Sequence, residues 1–185
     1  MQNQDVYIEV WVEKDALSGV LKRVTTKYHV NLMVNRGYSS CTAMYEAHKR
    51  LKREQDKGKE TYILYLGDHD PSGIDMIRDI RDRLTEFGVN TIVKPIALTQ
   101  AQIKQFNPPP NPAKFKDPRS TDYVSKYGQV AWEVDALEPK VLNQILTDHI
   151  EGLIDLEFFQ EMLNQEKDDM TELEKMKDYT GDYEG

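Results

Sequence analysis

The chain has 185 residues, of which 39% are hydrophobic and 30% are charged. This composition is typical of a folded globular protein and excludes a long disordered chain. No apolar run approaches the ~20 residues that a membrane-spanning helix needs. The N-terminal stretch MQNQDVYIEV has neither a basic start nor an apolar signal core, so we expect a cytoplasmic protein that does not contact a membrane.

The formal net charge of −8 argues against a nucleic-acid partner, but the charge is unevenly distributed. Residues 161–185 contain nine acidic and three basic residues, which leaves a net charge of only −2 for the first 160. That part can still carry basic patches, and KRLKREQDKGK (49–59) is a candidate, with a solvated helix end as the alternative. The single cysteine, Cys41, excludes an intrachain disulfide, and we expect a buried thiol.

Four apolar runs predict β-strands, at 6–12 (VYIEVWV), 30–34 (VNLMV), 61–66 (TYILYL) and 91–98 (TIVKPIAL). Pro95 cannot donate a ladder hydrogen bond, so the fourth strand is expected at an edge of the sheet. Helical patterns fill the three intervals, which predicts an α/β fold with a mostly parallel sheet flanked by helices. Right-handed crossovers bring the carboxyl ends of such strands to one edge, where functional residues are expected.

The three intervening helices are predicted from apolar residues at helical spacing. We expect the following residues to face the core: Leu17, Val20, Leu21, Val24 and Tyr28 in the first helix, Cys41, Met44, Tyr45, His48 and Leu51 in the second, and Ile74, Ile77, Ile80, Leu84 and Phe87 in the third. Gly88 is well placed to end the third helix.

Beyond residue 98 the pattern changes, because five of the eight prolines fall between 108 and 118. They predict a surface loop over 107–120, whose Lys114, Lys116 and Arg119 are candidate contacts to a nucleic-acid backbone, with a solvated loop as the alternative. We therefore divide the chain into an α/β domain at 1–137, which includes this loop, and a helical extension at 138–185 with an acidic, exposed end. The helices of the extension are a candidate surface for a protein partner or for a homo-oligomer.

The sequence LGDHDPSG (66–73) places two aspartates directly after the third strand. Because side chains alternate along an extended chain, Asp68 and Asp70 can project to the same side, while His69 points away as a hydrogen-bonded neighbour. Glu13 closes the first strand in the same way. With a strand order of 2-1-3-4, these three carboxylates converge and repel one another unless a cation intervenes. Such oxygen ligands suit Mg²⁺, with Mn²⁺ as the alternative.

A simpler interpretation of Asp70 is that it caps the helix that begins at Pro71. A second acidic pair, Glu133 and Asp135, lies in AWEVDALEP (131–139). On a strand, both side chains would share one face, where they would extend the metal site or bind a second ion. The alternative is a polar-faced edge strand that leads into a helix beginning near Pro139.

Glutamate in WVEKDAL and the paired aspartates in YLGDHDPSGIDM, each after a strand, resemble the Toprim domain that topoisomerases, bacterial primases and several nucleases share. The form Asp-x-Asp-Pro-x-Gly is most similar to the A subunit of topoisomerase VI and its meiotic double-strand-break relative. The turn NRGYSS after the second strand also fits that layout. The resemblance spans residues 6–98, about half of the chain, and implies a Toprim (Rossmann-like) fold.

The resemblance also implies Mg²⁺-dependent chemistry at phosphodiester bonds. Glu13 would be the general acid/base or a metal ligand, Asp68 and Asp70 would hold the metal, and Lys14 and Arg36 would contact a phosphate. Surface roles are the alternative for the two basic residues.

The chain departs from the family pattern at two points. Ser72 stands where many Toprim domains have a third aspartate, which puts a second metal in doubt. A winged-helix domain with the DNA-attacking tyrosine precedes the Toprim domain in the topoisomerase VI branch, whereas here the first strand begins near residue 6. We therefore expect water to be the nucleophile.

The sequence thus predicts a stand-alone, Mg²⁺-dependent nuclease that hydrolyses nucleic acid, with DNA expected ahead of RNA. One alternative is a non-catalytic, metal-dependent binding module or a Toprim subunit of a topoisomerase-like complex in which a separate partner bears the tyrosine. Another is a phosphatase or glycosyltransferase that uses Asp-x-Asp differently. The position of the aspartates after the third strand argues against the phosphatase, and Glu13 would be unexplained in the glycosyltransferase.

Overall fold

The computed structural model describes residues 4–35, 41–112 and 120–181, with side chains described up to residue 176. The strands are β1 (Val6–Val12), β2 (Asn31–Val34), β3 (Glu60–Leu66), β4 (Ile92–Ala97), β5 (Asn111–Pro112) and β6 (Val130–Ala131). The helices are α1 (Ser18–Lys27), α2 (Cys41–Gln55), α3 (Pro71–Glu86), α4 (Gln100–Phe106), α5 (Ser120–Tyr127), α6 (Pro139–Glu151) and α7 (Leu156–Gly181).

The main sheet has the order β2-β1-β3-β4, and all of its strands are parallel. This confirms the predicted α/β, Rossmann-like architecture and the edge position of the strand that contains Pro95. The strand order is the one under which Glu13, Asp68 and Asp70 were expected to converge. Val12 pairs with Leu66, so β1 and β3 end at the same level. The residues that follow these two strands are therefore neighbours at the carboxyl edge of the sheet.

The two faces of the sheet have separate cores because side chains alternate along each strand. One face packs against α1, α6 and the start of α7, with Val10, Leu64 and Leu66 fully buried. The other face packs against α2 and α3, with Trp11 and Ile63 fully buried. The helix predicted near Pro139 begins at that residue and shares the first core with the sheet.

The predicted inward face of α3 was wrong for Ile74 and Phe87, which are 37% and 38% exposed. The prediction is confirmed for Ile80 and Leu84, and the helix also buries Gly73 and Met76. Compared with the predicted orientation, α3 is rotated about its own axis. Gly73 explains this rotation, because a Cβ at this position would lie 2.1 Å from the carbonyl oxygen of Asp68. The first turn can approach the end of β3 only with Gly73 facing it, and the inward residues of later turns follow from that contact.

The predicted inward face of α2 was also wrong in part. Cys41 is exposed, which corrects the expectation of a buried thiol. Tyr45 is 46% exposed and packs on the surface against His48 and Phe87. The buried residues Met44, Ala47 and Leu51 repeat at helical spacing, and the small Ala47 was not recognised as a core residue.

A buried ion pair links α2 to the middle of β1. The Glu9 carboxylate is fully buried and accepts hydrogen bonds from Arg50 Nε at 2.7 Å and Arg50 Nη2 at 3.0 Å. Tyr7 Oη and Trp11 Nε1 donate to the same carboxylate at 2.9 Å and 3.0 Å. Glu9, which the sequence placed in a strand because its neighbours are apolar, is thus the centre of a polar network in the sheet.

The basic run 49–59 is largely neutralised by acidic neighbours. Besides the Arg50–Glu9 pair, its cations form ion pairs with Glu46, Asp56 and Glu54. Glu54 alone receives three of them. The six cations of this run pair with four carboxylates, so it is a charge-paired helix end that keeps a small net positive charge.

The described part of the proline-rich loop contains a short pairing that the sequence did not predict. Asn111 and Pro112 form a two-residue antiparallel ladder with Val130 and Ala131. Residues 113–119, and with them Lys114, Lys116 and Arg119, lie outside the described residues.

None of the described helices combines the length and the hydropathy that a membrane crossing requires.

Replacing Arg50 with alanine is expected to lower the free energy of unfolding by about 2–4 kcal/mol, because the buried Glu9 charge loses its cation. Urea denaturation measures this change. Lys52→Ala removes an exposed pair between α2 and Asp56, which follows the helix, and should cost less than about 0.5 kcal/mol. Equal losses in the two variants would contradict the assignment of Glu9 as a buried charge that depends on Arg50.

Candidate active site at the carboxyl edge of the sheet

Glu13 lies where β1 ends beside β3. Its backbone amide donates to the Leu66 carbonyl at 2.9 Å, which extends the parallel ladder by one residue. Its side-chain Oε2 accepts from the backbone amide of Asp68 at 3.1 Å. The Tyr65 hydroxyl also lies within 3.4 Å of Oε2. The structure therefore brings Glu13 against the first residue of the Asp-x-Asp motif.

The segment that follows β6 donates a hydrogen bond to the Asp68 side chain. Its Oδ1 accepts from the backbone amide of Val134 at 2.8 Å, and the ammonium of Lys14 lies 3.5 Å from the same oxygen. Burial raises the pKa of Asp68 even though the Lys14 charge and this hydrogen bond act in the opposite direction. The neighbouring carboxylates of Asp70 and Glu133 raise it further.

Asp70 is the N-cap of α3, as the simpler interpretation of the sequence proposed. Its Oδ1 accepts from the backbone amide of Gly73 at 2.7 Å, and Pro71 occupies the first turn. An ionised carboxylate has two oxygens and about four acceptor sites, so capping with one oxygen does not prevent the other from ligating a cation. The capping role and a ligand role are therefore compatible.

The three carboxylates influence one another electrostatically. Burial is the main reason that the pKa of Glu13 is raised, and the charges of Asp68 and Asp70 raise it further. The hydrogen bonds from the Asp68 amide and the Tyr65 hydroxyl lower it only in part. Without a metal cation, repulsion among these carboxylates therefore destabilises the edge of the sheet.

Lys14 joins this carboxylate group to the second acidic pair. Its ammonium contacts Asp135 Oδ1 at 2.7 Å and Glu133 Oε2 at 3.0 Å. Burial alone would lower the pKa of Lys14, but the Asp135 and Glu133 carboxylates outweigh it and raise the pKa. The strand predicted for the acidic pair was wrong, because Asp135 lies in a 3₁₀ turn (Val134–Ala136) that Glu133 immediately precedes. The turn directs both acids to Lys14.

His69 anchors the Asp-x-Asp loop from its other side. Its backbone forms an antiparallel bridge with Trp132, with N–H···O distances of 2.8 Å and 3.1 Å. Its buried ring packs edge-to-face against Trp132 and Tyr127, and its Nδ1 lies 2.9 Å from the Tyr123 hydroxyl. Burial lowers the pKa of His69. His69 is thus a hydrogen-bonded structural neighbour of the two aspartates, not a group that faces the carboxylates.

The carboxylates suit a divalent cation chemically, although they do not form a closed cage. Within 4–35, 41–112 and 120–181, no three histidine, cysteine, aspartate or glutamate side chains are already assembled as a metal-binding group. Mg²⁺ commonly takes only one or two carboxylates and completes its shell with waters and substrate phosphates. The charges of Asp68 and Asp70 both raise the pKa of Glu13, which shows that the carboxylates repel one another.

Sequence reasoning missed the groups that hold the loop, namely the Val134 amide, Trp132, Tyr123 and Tyr65. Only the adjacency of Trp132 to Glu133 hinted that this segment approaches the site. Arg36, proposed as a phosphate contact, lies outside the described residues.

No model of a known protein family matches the chain, and no curated protein matches it significantly. The function of the site is therefore argued from its own residues and geometry.

Replacing Glu13 with glutamine removes a negative charge and should raise the free energy of unfolding of the metal-free protein at neutral pH. The pKa of this carboxyl group is higher in the folded state than in the unfolded state, where it is ~4.3. Its contribution to stability is therefore fully present below the unfolded-state pKa and is lost as the pH rises through the folded-state pKa. Wild type should therefore lose stability relative to Glu13→Gln between about pH 4 and neutral pH. Each kcal/mol corresponds to about 2–4 °C in melting temperature.

Thermal melting in chelator across this pH range checks this expectation. Glu172→Gln, which alters an exposed carboxylate on α7, should follow wild type at every pH. A Glu13→Gln curve parallel to that of wild type would argue against stored repulsion at this position.

Proposed function

We propose that the chain is a Toprim-type protein that uses Mg²⁺ to hydrolyse phosphodiester bonds of nucleic acid, and we expect the substrate to be DNA ahead of RNA. The contact between Glu13 Oε2 and the Asp68 amide carries this proposal. It brings together the ends of two strands that are far apart in the sequence and forms one acidic site. The raised pKa of Glu13 adds support, since it reflects both burial and the proximity of Asp68 and Asp70.

In this proposal, Asp68 and Asp70 hold the metal, and Glu13 accepts the proton of the attacking water at its carboxylate. A carboxylate whose pKa is raised is a stronger base than an ordinary carboxylate. The water oxygen forms a bond to phosphorus, and the bond from phosphorus to the leaving sugar oxygen breaks. When bound, Mg²⁺ supplies positive charge that offsets charge on the phosphate oxygens.

Lys14 is the described cation closest to these carboxylates, and we assign it to the substrate phosphate. It lies 3.5 Å from Asp68, and the contacts to Glu133 and Asp135 keep its ammonium at the edge of the sheet. A phosphate that enters the site would exchange for one of these carboxylates. Asp135 and Glu133 thus position the ammonium and do not by themselves require a second metal ion.

Supercoiled plasmid and labelled RNA, incubated with Mg²⁺ or with chelator, test the proposal. Wild type should cleave in Mg²⁺ and not in chelator, and Mn²⁺ should restore cleavage. Glu13→Gln and Asp68→Asn should each reduce the rate by about 10²–10⁴-fold, because each removes a charge that acts on the reacting atoms. Asp148→Asn, an exposed substitution on α6, is the matched control and should retain the rate.

Binding by the same proteins distinguishes catalysis from a non-catalytic role. Glu13→Gln should still bind nucleic acid while cleavage is lost. If wild type binds but does not cleave in either metal, the binding-module or partner-dependent alternative replaces hydrolysis. Cleavage that ignores both the chelator and Asp68→Asn would discard the proposed site.

Lys14→Ala is expected to weaken nucleic-acid binding uniformly across sequences and to reduce the slope of log affinity against log salt by about one, because one phosphate contact is lost. A salt titration of oligonucleotide binding measures the slope. Lys52→Ala, which removes a cation of α2 that pairs with Asp56, should leave it unchanged. An unaltered slope for Lys14→Ala would exclude Lys14 as the phosphate contact.

A further inference from the structure

A small cleft opens beside the carboxylate site, between α3 and α5. Its apolar walls are formed by Pro71 and Ile74 from α3 and by Tyr123 and Tyr127 from α5. Its volume is about 280 Å³, at the lower end of ligand pockets, which typically span ~300–1,000 Å³. We call it the α3–α5 cleft. This size suits one flat ring system rather than a larger molecule.

The α3–α5 cleft lies next to Asp70, the second aspartate of the Asp-x-Asp motif. Pro71, which lines it, follows Asp70 in the chain and stands in the helix that Asp70 caps. Tyr123 is near enough to Asp70 that, after burial, the charge of that aspartate is the next cause of its raised pKa. A substrate whose phosphate lies at Glu13 and Asp68 would therefore present an adjacent group to this cleft.

The charges around the cleft argue against a phosphate as its occupant. Two cations, Arg78 and Lys126, are balanced by two acids, Asp75 and Asp122. Arg78 is moreover held by Asp75 at 2.8 Å and by Asp82 at 2.7 Å. A cleft with apolar walls and balanced charge at its rim suits an uncharged, planar group with hydrogen-bonding edges.

Tyr127 supplies an aromatic surface whose position is set by its neighbours. Its ring centroid lies 4.7 Å from that of His69 and 5.0 Å from that of Tyr123. The same His69 is fixed between the two aspartates by its bridge to Trp132. The ring therefore lies close to the Asp-x-Asp loop, and aromatic rings are the surfaces on which bases of single-stranded nucleic acid stack.

The exposure of Ile74 fits this role. Sequence periodicity placed it in the core, yet 37% of it is accessible where it faces the cleft. Because Gly73 fixes the rotation of α3, Ile74 is turned away from the sheet toward α5. An aliphatic side chain opposite an aromatic ring makes a slot for a flat group.

We propose that the α3–α5 cleft binds one nucleobase of the nucleic-acid strand whose phosphodiester bond lies at Glu13, Asp68 and Asp70. This inference rests on the proposed function and adds a preference for unpaired bases, since a base must leave its stack to enter the cleft. A nucleobase can come from a strand or from a free nucleotide. The strand is favoured here because the cleft adjoins the phosphodiester site.

The test measures binding, with Ca²⁺ in place of Mg²⁺ to slow cleavage, of a 12-nucleotide single-stranded DNA and of the same DNA with an abasic site at each position in turn. Wild type should lose affinity by about 5–100-fold when one particular base is missing and should change little at distant positions. Tyr127→Ala should bind the intact DNA with the same loss and should no longer distinguish the abasic series. Tyr127→Phe should behave as wild type because it keeps the ring.

Two further variants separate stacking from misfolding. Ile74→Glu places a charge on the exposed wall without removing a core residue, and it should reproduce the loss seen for Tyr127→Ala. Tyr45→Ala removes an exposed tyrosine on α2 that packs against His48 and Phe87, and it should bind as wild type. Nucleoside monophosphate added as a competitor tests the other source of a base.

Each outcome has one consequence. Wild-type binding that is unchanged in Tyr127→Ala and Ile74→Glu, with no sensitive position in the abasic series, overturns the base site and leaves the proposed hydrolysis standing. Competition by monophosphate at concentrations near the affinity of the 12-mer overturns the assignment to a strand. A wild type that neither binds nor cleaves nucleic acid overturns the proposed function and this inference together.

Discussion

The parallel pairing of β1 with β3 is the contact on which the candidate site depends. Val12 and Leu66 end their strands at the same level, so the next residues of both strands meet at one edge. The amide of Asp68 then reaches the Glu13 carboxylate at 3.1 Å. A shift of one residue in this register would turn Glu13 to the opposite face and would separate the carboxylates.

The segment that follows β6 completes the site from outside the four-stranded sheet. Its Val134 amide holds Asp68, Trp132 pairs with the backbone of His69, and Glu133 with Asp135 holds Lys14. A loop with two like charges is thereby kept in one conformation. Hydrogen bonds and the charge of Lys14 offset part of the repulsion among the carboxylates.

Gly73 connects the geometry of the carboxylates to that of the neighbouring surface. The close approach to the Asp68 carbonyl excludes a side chain there and sets the rotation of α3. The same rotation turns Ile74 outward, next to Tyr127 and beside the capped aspartate. One steric constraint thus shapes both the loop that carries the acids and the cleft that adjoins it.

The amino-acid sequence by itself determined the four strands of the main sheet, their parallel direction and the edge position of the strand with Pro95, because hydrophobic periodicity and proline geometry are local properties. It also identified Glu13, Asp68 and Asp70 as residues that end neighbouring strands. The rotation of α2 and α3, which exposes Cys41, Tyr45, Ile74 and Phe87, was decided only by the tertiary structure. Two apolar rows at helical spacing compete in each helix, and contacts with the sheet choose between them. The partners of Lys14, Glu9 and Asp68 lie 119, 41 and 66 positions away in the chain, so no local pattern could reveal them.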